Sequence, residues 1–514
     1  MINSFLTEKI KENFGFVPTR EQSEAIDMMG KFLMSREGME LFLLRGYAGT
    51  GKTTLVGALV KTLVDLKQSV VLMAPTGRAA KVFASYAGCT AYTIHKRIYR
   101  QKTITDTDSF SLNVNLSKHT LFIVDEASMI SNEGLSSATF GTGRLLDDLI
   151  QYVYSGEDCR LMLMGDTAQL PPVGEEESPA LMPSVLASYG LQVYEQTLTQ
   201  VMRQLSESGI LYNATMIRCK LMELRGDGMW DADAGLMASN GGSGIVDGLS
   251  FADVSRVAGN DLVDSLESSY SRWGTDNCMI ICRSNKRANI YNQGIRNRIL
   301  DREEELCSGD RIMVVKNNYY WVEKELRKLM EEKAQLLNDK PSSLTPHPSM
   351  LIPQLPLSFI ANGDIAVVRR VRRTRELYGF RFADVMLSFP DYDDYEMETT
   401  ILLDTLHSES PSLTREESNR LFEAVMEDYA DISQKKERYK RLREDPHFNA
   451  LQIKYAYAVT CHKAQGGQWG CIYLDQGYLP PDGSPIDYYR WLYTAFTRAT
   501  EQVYLVNWPT EKDM

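Results

Sequence analysis

A glycine-rich segment between an apolar run and a helical run constrains this chain more than any other feature. The segment GYAGTGKT occupies residues 46–53, directly after the strand-length run Leu41–Leu44 and before Thr54–Leu66, which has helical spacing. Glycines let the backbone curl so that successive N–H groups point at one anion, and the start of a helix adds positive potential. In this register Lys52 reaches the β- and γ-phosphates of a nucleotide, and the Thr53 hydroxyl takes a Mg²⁺ position.

Short apolar runs recur along the chain and predict buried strands. They occur at Val70–Ala74, Leu121–Val124, Arg160–Met164, Met279–Cys282, Cys471–Leu474 and Gln502–Asn507. Strands without polar alternation are buried on both faces, as in a parallel sheet covered by helices. The sequence therefore predicts an α/β fold with two such layers. The first forty residues are predicted to be helical, with Phe5, Ile10 and Phe14 on a common face.

Two insertions interrupt this pattern. The polar stretch Lys96–Lys118 alternates in FSLNVNL and is predicted to be a hairpin. The larger one holds the charged helix Glu323–Leu337, the alternating β-rich piece Phe359–Leu387 and a second charged helix over Thr414–Glu444. The predicted boundaries are a helical lead at 1–40, a first domain at 41–185 with its hairpin at 96–118, a second domain at 186–310 and 451–514, and the inserted domain at 311–450.

Composition places the chain among ordinary globular proteins. It has 514 residues, of which 43% are apolar and 24% charged, so disorder throughout and a small disulfide scaffold are excluded. No apolar run reaches the roughly 18 residues of a membrane span, so no membrane partner is expected. Eight cysteines without framework spacing favour a reducing, cytoplasmic setting. The net charge of -12 neither indicates nor excludes nucleic acid, because basic residues can be gathered on one track.

Carboxylates follow two of the predicted strands. Asp125 and Glu126 come after the run ending at Val124, which we expect to neighbour the strand before the phosphate segment. Asp125 is suited to hold the metal and Glu126 to polarise the attacking water. The third piece, GDTAQLPPV at 165–173, offers the Gln169 amide as a sensor of the γ-phosphate. Taken alone, an Asp-Glu pair is commonly a solvated turn, and the third piece is equally compatible with a proline-terminated loop.

The order of these segments resembles that of superfamily 1 helicases. The shared motifs are the phosphate segment, APTGRAA at 74–80, TIH at 93–95, DEAS at 125–128, GDTAQLPPVG at 165–174, VMRQ at 201–204, YAVTCHKAQGGQW at 457–469 and YTAFTRA at 493–499. Within that superfamily the chain is similar to the 1B group, which is RecD-like and includes the Dda and Pif types. The resemblance implies two RecA-like P-loop NTPase domains, with an SH3-like β-rich insert carrying helical extensions in the second.

The resemblance also implies an ATP-dependent DNA helicase that moves 5′-to-3′ on single-stranded DNA. Its cofactors would be ATP and Mg²⁺, and its partner a junction of single- and double-stranded DNA, in repair or recombination. A monomer is expected, and protein partners are unknown. We expect the hairpin at Lys96–Lys118 to act as the wedge that separates the strands.

The resemblance assigns residues to each role. The catalytic set is Lys52, Asp125, Glu126, Gln169, Arg203 and Arg498, with Thr53 and Asp125 as metal ligands. The ATP contacts are Gln22, Gly46, Ala48, Gly49, Thr50, Gly51, Lys52, Thr53, Thr54, Gly467 and Gln468. The DNA contacts are Pro75, Thr76, Arg78, Thr93, His95, Thr460, His462 and Lys463. Gln468 stands where many relatives carry a glutamate, and an amide still hydrogen-bonds a sugar hydroxyl.

Other interpretations stay open at this point. Phosphate contacts do not distinguish DNA from RNA, since only contacts to the 2′-OH do, so an RNA helicase is one alternative. A nucleic-acid-stimulated ATPase switch without unwinding is another. Ala366–Phe382 carries six arginines against one glutamate, a net charge of +5, and Gln434–Glu444 carries +4. Each stretch either lines a DNA path or is a solvated face.

Overall fold

The chain divides into two compact units, one of them inserted into the other. In this computed structural model the described residues are 2–35, 37–101, 110–134, 141–201, 208–226, 251–338, 355–357, 359–477 and 484–508. The first unit contains Met1–Arg100, Ser109–Ala288 and Val459–Met514, and the second contains Gln101–Asp108 and Asn289–Ala458. Most of the second unit is therefore a single insertion between Ala288 and Val459 of the first.

The first sheet of the first unit has six strands. The strands between residues 40 and 198 are β1 (Glu40–Gly46), β2 (Ser69–Ala74), β3 (Ala91–Thr93), β4 (Tyr99–Gln101), β5 (Phe110–Leu112), β6 (Thr120–Val124), β7 (Arg160–Gly165) and β8 (Gln192–Leu198). The sheet order is β3-β2-β6-β7-β1-β8, and its pairs are parallel. All five residues of β6 are buried, as expected for a strand covered on both faces.

Helices cover both faces of this sheet. Those of the first unit up to residue 273 are Ile2–Phe14, Arg20–Met34, Lys52–Asp65, Gly77–Ala87, Ile94–Ile98, Leu145–Tyr154, Pro183–Ser188, Gly209–Arg225 and Leu262–Trp273. Arg20–Met34 begins at a capping box in which the Thr19 and Gln22 side chains each accept the other's backbone N–H. In the first helix Leu6, Ile10 and Phe14 enter the core, whereas Phe5 is 55% exposed. The prediction that Phe5 shares the buried face is wrong, since Leu6 holds that position.

The first insertion is shorter as a hairpin than predicted. β4 and β5 form a two-stranded sheet, the residues 102–109 that join them lie outside the described part of the chain, and Lys96 belongs to the short helix Ile94–Ile98. The alternating run leaves the strand after Leu112 because Asn115 is buried and donates to the Tyr152 and Val153 carbonyl oxygens. Those bonds satisfy carbonyls at the end of the helix Leu145–Tyr154.

The remaining strands form a second sheet and a closed barrel. In chain order they are β9 (Val254–Val257), β10 (Cys278–Cys282), β11 (Arg311–Val314), β12 (Ile365–Leu377), β13 (Phe380–Phe389), β14 (Tyr395–Leu402), β15 (Leu451–Tyr455), β16 (Ala458–Thr460), β17 (Trp469–Asp475) and β18 (Ala499–Val506). The second sheet has the order β16-β10-β17-β18-β9, and the barrel contains β11 to β15. This confirms the predicted α/β class with a small β-rich insert.

The barrel begins at Arg311, as predicted for the insert, but it extends beyond the predicted end at residue 450. β15 (Leu451–Tyr455) pairs with β11 through Ile312–Tyr455 and with β14 through Ile401–Leu451. The sequence places residue 451 at the return to the second RecA-like domain, but this strand closes the barrel instead. The sequence of a single short strand does not indicate whether it joins the barrel or the second sheet, because it would be buried in either one.

Two helices of the second unit replace the single charged helix predicted over Thr414–Glu444. The helices after residue 284 are Asn285–Arg298, Tyr320–Asn338, Arg415–Glu427, Lys435–Arg443, Cys461–Ala464 and Pro485–Phe496. The break after Glu427 is a turn whose Ala430 and Ile432 carbonyls accept from the Arg438 guanidinium. Arg438 thus satisfies backbone groups that a continuous helix would have bonded internally.

Most arginines of β12 (Ile365–Leu377) and of the start of β13 (Phe380–Phe389) pair with carboxylates of the same unit. Arg369 lies 3.5 Å from Glu396, Arg372 pairs with Glu398, Arg375 with Asp384 and Arg381 with Asp404. Arg370 and Arg373 make no ion pair with the described residues. The net charge of +5 counted along Ala366–Phe382 is therefore largely balanced by neighbouring strands, which reduces its value as a phosphate track.

A buried ionic network holds the helix Asn285–Arg298 to the start of the barrel. Asp310 is fully buried and accepts two bonds of 3.0 Å from Arg296 and one of 2.8 Å from Arg302. One helical turn earlier, Asn292 donates to the Ala458 carbonyl and accepts from the Tyr457 and Ala458 amides. One helix therefore fastens both ends of the inserted unit.

We predict that Asp310→Ala destabilises the second unit by about 3–5 kcal/mol, because it leaves buried guanidinium groups without a counter-charge. Hydrogen exchange of the barrel amides in the full chain measures this loss. Asp431→Ala, at an exposed carboxylate of the same unit, is the control and should leave exchange unchanged. Equal protection in the two variants would contradict the role given to the network.

Candidate nucleotide and nucleic-acid site

The phosphate loop, residues 46–53, joins β1 to the helix Lys52–Asp65. Gly49 and Gly51 have φ values of 77° and 80°, a left-handed conformation that glycine adopts without strain. A Cβ at Gly46 would lie 2.9 Å from the Lys52 side chain. Lys52 Nζ donates to the Gly46 and Tyr47 carbonyl oxygens, the latter at 2.9 Å. The loop is therefore curled tightly around its own lysine, with the helix N-terminus behind it.

Three carboxylates lie at the same edge of the first sheet. Asp125 and Glu126 follow β6, and Asp166 follows β7. The expectation that β6 neighbours β1 is wrong, because β7 lies between them. The carboxyl ends of parallel strands still share one edge, so Asp125 reaches the field of Lys52, two strands away.

Asp125 and Glu126 lie in a half-buried turn with a strained backbone. The Glu126 amide donates to Asp125 Oδ1 at 2.7 Å, and Glu126 itself has a φ of 53°, in the left-handed region. Burial and the Glu126 carboxylate raise the pKa of Asp125 to about 7, while Lys52 and Arg498 act in the opposite direction. A buried carboxylate of this kind gains from a nearby cation.

Arg498 comes from the second sheet and meets the first. It is 4% exposed, directly precedes β18, and places Nη1 3.6 Å from Glu126 Oε1. Its Nε donates to the Thr494 carbonyl at 3.1 Å. The structure thus brings together Lys52, Asp125, Glu126 and Arg498, although more than 370 residues separate the last two along the chain.

Tyr493 makes a second connection that the sequence did not single out. Its buried hydroxyl accepts from the Ala48 amide of the phosphate loop at 2.8 Å and donates to Asp166 Oδ2 at 2.6 Å. Burial and the Asp166 carboxylate raise the pKa of Tyr493 well above its ordinary value, so the phenol stays protonated. One hydroxyl therefore links the helix Pro485–Phe496, the phosphate loop and the end of β7.

Leu170 is held by the C-terminal part of the chain through its backbone. Its amide donates to the Thr494 hydroxyl at 2.8 Å, and its carbonyl accepts from the Gln465 amide at 2.7 Å. Tyr493, Thr494 and Gln465 all lie within motifs quoted from the sequence. The signal for them was their place beside Arg498 and in QGGQ, but only the fold shows which groups they contact.

The other residues assigned to ATP are partly engaged elsewhere. Gln22 is buried and donates to the Thr50 carbonyl at 2.9 Å, so it supports the loop from the helix Arg20–Met34. Thr53 is half-buried and Thr54 exposed at the start of the following helix. Gly467 accepts a 3.5 Å bond from Arg498 and has no room for a side chain, since a Cβ would meet the Trp469 ring at 2.5 Å. Gln468 is exposed.

The DNA-assigned residues of the first sheet lie at helix starts. The Thr76 and Thr93 side chains cap the helices Gly77–Ala87 and Ile94–Ile98 by accepting the Ala79 and Lys96 amides. Pro75 is half-buried directly before the first of these helices. Desolvation lowers the pKa of His95 to about 4, so its imidazole is neutral at pH 7.

Arg78 has a different surrounding from that expected of a DNA contact. Its guanidinium lies 4.2 Å from the centre of the Trp469 ring and donates to the Gln468 carbonyl at 2.8 Å. Both partners belong to the second sheet's motifs. The structure therefore places Arg78 in a contact between the two sheets, where a guanidinium stacks well on an aromatic face.

Three of the residues predicted to contact DNA lie in or next to the short helix Cys461–Ala464, which follows β16 of the second sheet. Thr460 precedes it, and His462 and Lys463 lie within it. Gly466 follows two residues later, and a Cβ there would lie 3.1 Å from the Thr76 hydroxyl. The two predicted nucleic-acid faces thus adjoin each other.

Two residues of the predicted catalytic set remain. Gln169 is buried after β7, and its Oε1 has no hydrogen-bond partner among the described residues. Arg203 lies outside the described residues.

Two family models match the ends of the chain that build this site. One, described as an AAA domain, matches residues 19–218, and the other, described as a UvrD-like helicase C-terminal domain, matches residues 455–506. The first covers the phosphate loop and both carboxylate strands, and the second covers Tyr493 and Arg498. Both matches agree with the predicted resemblance to superfamily 1B helicases of the RecD-like and Pif-type group.

Individual relatives match different shares of the chain. The uncharacterized protein R530 of Acanthamoeba polyphaga mimivirus is 23% identical, over 90% of this chain and 94% of that protein. The ATP-dependent RecD2 DNA helicase of Deinococcus radiodurans is 29% identical over 44% of this chain and 29% of its own length. The phage T4 ATP-dependent DNA helicase dda is 24% identical over 58% and 60%. The chain thus matches less than two thirds of the length of RecD2 and of dda.

Solved structures of Pif1 helicases also align with this chain. One, from Bacteroides in complex with ADP-AlF3 and single-stranded DNA, is 15% identical, covers 97% of this chain and 94% of that one, and has a TM-score of 0.44. The two family models and the RecD2 and dda matches support the predicted recognition and the predicted enzyme class, an ATP-hydrolysing DNA helicase. None of the described helices has the length and apolarity to cross a bilayer.

We predict that Tyr493→Phe lowers the kcat of ATP hydrolysis about tenfold. The change keeps the ring but leaves the Ala48 amide and Asp166 Oδ2 without their hydrogen-bond partner, at a cost of about 1–3 kcal/mol. Tyr489→Phe, on the same helix, is the matched control, because no hydrogen bond of its hydroxyl occurs among the described residues. Steady-state hydrolysis with saturating single-stranded DNA measures both, and equal rates would remove Tyr493 from the site.

Proposed function

We propose that this chain is an ATP-dependent DNA helicase that moves 5′-to-3′ on single-stranded DNA and unwinds duplex. The observation that carries the proposal is the approach of Arg498, from the second sheet, to within 3.6 Å of Glu126 beside the phosphate loop. A nucleotide at the loop would therefore touch groups from both sheets, and its hydrolysis would change what holds them together.

The residues of the loop and of β6 suit an ATP and Mg²⁺ site. Lys52 would leave its carbonyl partners for the β- and γ-phosphates, and the loop amides would bind phosphate oxygens. Thr53 and Asp125 supply the hydroxyl and carboxylate oxygens that Mg²⁺ prefers, and the raised pKa of Asp125 fits a carboxylate that gains from a cation. When bound, the metal would neutralise charge on the phosphates.

Hydrolysis follows from the carboxylate and arginine positions. Glu126 would orient and polarise the attacking water, since it lies beside Asp125 at the same sheet edge. Arg498 would stabilise the charge that builds on the transferred phosphoryl group, and Arg203 is proposed for the same task. Gln169 would sense the γ-phosphate from its buried place after β7.

Coupling to movement would pass through the contacts between the two sheets. Arg498, Tyr493 and Thr494 each bond a group of the first sheet or its loops. With ATP bound, these contacts between the two sheets would be closed, and after hydrolysis they would open. If each sheet binds the DNA strand more tightly in a different one of these two states, repeated closing and opening moves the strand in one direction. The 5′-to-3′ sense rests on the superfamily 1B assignment.

The nucleic-acid face would consist of Thr76, Thr93 and His95 on one side and Thr460, His462 and Lys463 on the other. Hydroxyl, imidazole and ammonium groups of this kind bind phosphates without reading bases, which suits a motor. DNA as the substrate is supported by the names of RecD2 and dda, both called DNA helicases. The hairpin of β4 and β5 is proposed as the strand-separating wedge.

We propose further that the motor works as a monomer in the cytoplasm. All eight cysteines are free thiols, as in proteins of a reducing compartment.

The energy of strand separation is compatible with this motor. Opening one base-pair step of duplex DNA costs about 1.4 kcal/mol on average, which is well within the free energy of hydrolysis of one ATP.

ATPase and unwinding assays on 5′-tailed DNA, 3′-tailed DNA and 5′-tailed RNA test this proposal. We expect the 5′-tailed DNA alone to be unwound, and Lys52→Ala to lower ATP hydrolysis at least about a hundredfold, since the phosphates lose their cation. Lys61→Ala, an exposed lysine of the same helix, is the control and should be fully active.

Each of the other outcomes would indicate a different activity for this chain. Unwinding of the 3′-tailed substrate alone would reverse the direction, and unwinding of RNA would indicate a helicase with another substrate. Stimulated hydrolysis without strand separation would indicate an ATPase switch. Lys52→Ala that hydrolyses like the native chain would end the proposal.

A further inference from the structure

A cavity of about 480 Å³ lies within the first unit, behind the phosphate loop. Its walls come from the end of β1, the segment after β7, the irregular stretch before the helix Pro183–Ser188, and the helices Gly209–Arg225 and Pro485–Phe496. It shares Tyr47, Asp166 and Gln169 with the nucleotide site. None of the roles assigned above uses the remaining walls.

Four arginines line this cavity, against two carboxylates. The arginines are Arg45, Arg218, Arg225 and Arg490, and the carboxylates are Asp166 and Glu177. Asp166 is already bonded to the Tyr493 hydroxyl at 2.6 Å. The lining therefore has an excess of positive charge in a place where Arg218 is 3% and Arg490 5% exposed.

Several donors in the cavity wall are buried without a partner among the described residues. They include Nε of Arg45, Arg218 and Arg490. Arg218 spends one other nitrogen on the Thr199 carbonyl at 3.1 Å and stacks on the Tyr47 ring at 4.5 Å. An unpaired buried guanidinium nitrogen is costly, and three of the arginines that line this cavity each carry one, which favours an anion as the group that would bind here.

Two of these arginines share one carboxylate, Glu177. Arg225 Nη2 lies 3.1 Å and Arg490 Nη2 3.5 Å from the same oxygen, Oε1 of Glu177. The Glu177 side chain is 50% exposed and sits on an irregular stretch. Two arginine forks that converge on one oxygen match a tetrahedral phosphate, which has more oxygens to offer than one carboxylate.

We propose that this cavity binds a free phosphate ion, with Arg225, Arg490 and Arg218 as its ligands and Glu177 as its competitor. The source of the ion rests on the proposed function, because hydrolysis at the phosphate loop would release phosphate next to Tyr47 and Gln169. The site would then retain the product after cleavage, and its departure would free the two sheets.

Inorganic phosphate titrated into the full-length Lys52→Ala protein, followed by calorimetry, tests the binding without any need for hydrolysis. Adding Arg225→Gln should weaken phosphate binding at least tenfold, because it removes a charged donor. Adding Glu177→Gln should tighten binding several-fold, because it removes the competing carboxylate. Glu176→Gln, the same change one residue earlier at an exposed side chain outside the lining, is the matched control and should have no effect.

The two substitutions have opposite expected signs, so general destabilisation cannot produce both. Absence of phosphate binding in the Lys52→Ala protein, or equal affinity in all variants, would overturn the proposal. ATP titrated in parallel separates the two sources of phosphate. If ATP binding responds to Arg225→Gln while free phosphate does not, the ligand is the terminal phosphate of the nucleotide, and the free-ion proposal fails. None of these outcomes depends on whether the chain unwinds DNA.

Discussion

The hydrogen bonds of the Tyr493 hydroxyl hold three distant segments at one point: the phosphate loop through Ala48, the end of β7 through Asp166, and the helix that leads to Arg498. Because the hydroxyl is buried, water does not substitute for either partner. The position of Arg498 opposite Glu126 follows from this attachment, since both Tyr493 and Arg498 belong to one short stretch of chain. The nucleotide cleft is thus set by side chains that reach across from the second sheet.

The sequence predicted the parts of this site that depend on local backbone rules. The phosphate loop follows from glycines at two left-handed positions and a lysine at the helix start, all of which are visible in GYAGTGKT. The order of strands in the sheet is not local. β6 was expected beside β1, yet β7 intervenes, because pairing between parallel strands is decided by crossovers that the apolar runs do not encode.

Side-chain partners over long distances were also beyond sequence reasoning. Arg78 carries the charge of a phosphate contact, but stacking on Trp469 engages it between the sheets. The arginines of β12 were counted as a basic track, although acidic residues of β13, β14 and the segment after them balance most of that charge in space. A charge count along one strand omits the strands beside it, which is the reason the two interpretations stayed open.

The Asn292 side chain has a further consequence for how this protein can change. By bonding both the amide and the carbonyl of Ala458, it sets the exit of the inserted unit against the helix by which the chain entered. Because Asn292 and Ala458 are bonded to each other, the two ends of the inserted segment lie close together whatever its length. Evolution or an engineer could therefore exchange the barrel for another module of different size while the flanking sheet kept its register, so long as the asparagine and its two backbone partners were retained.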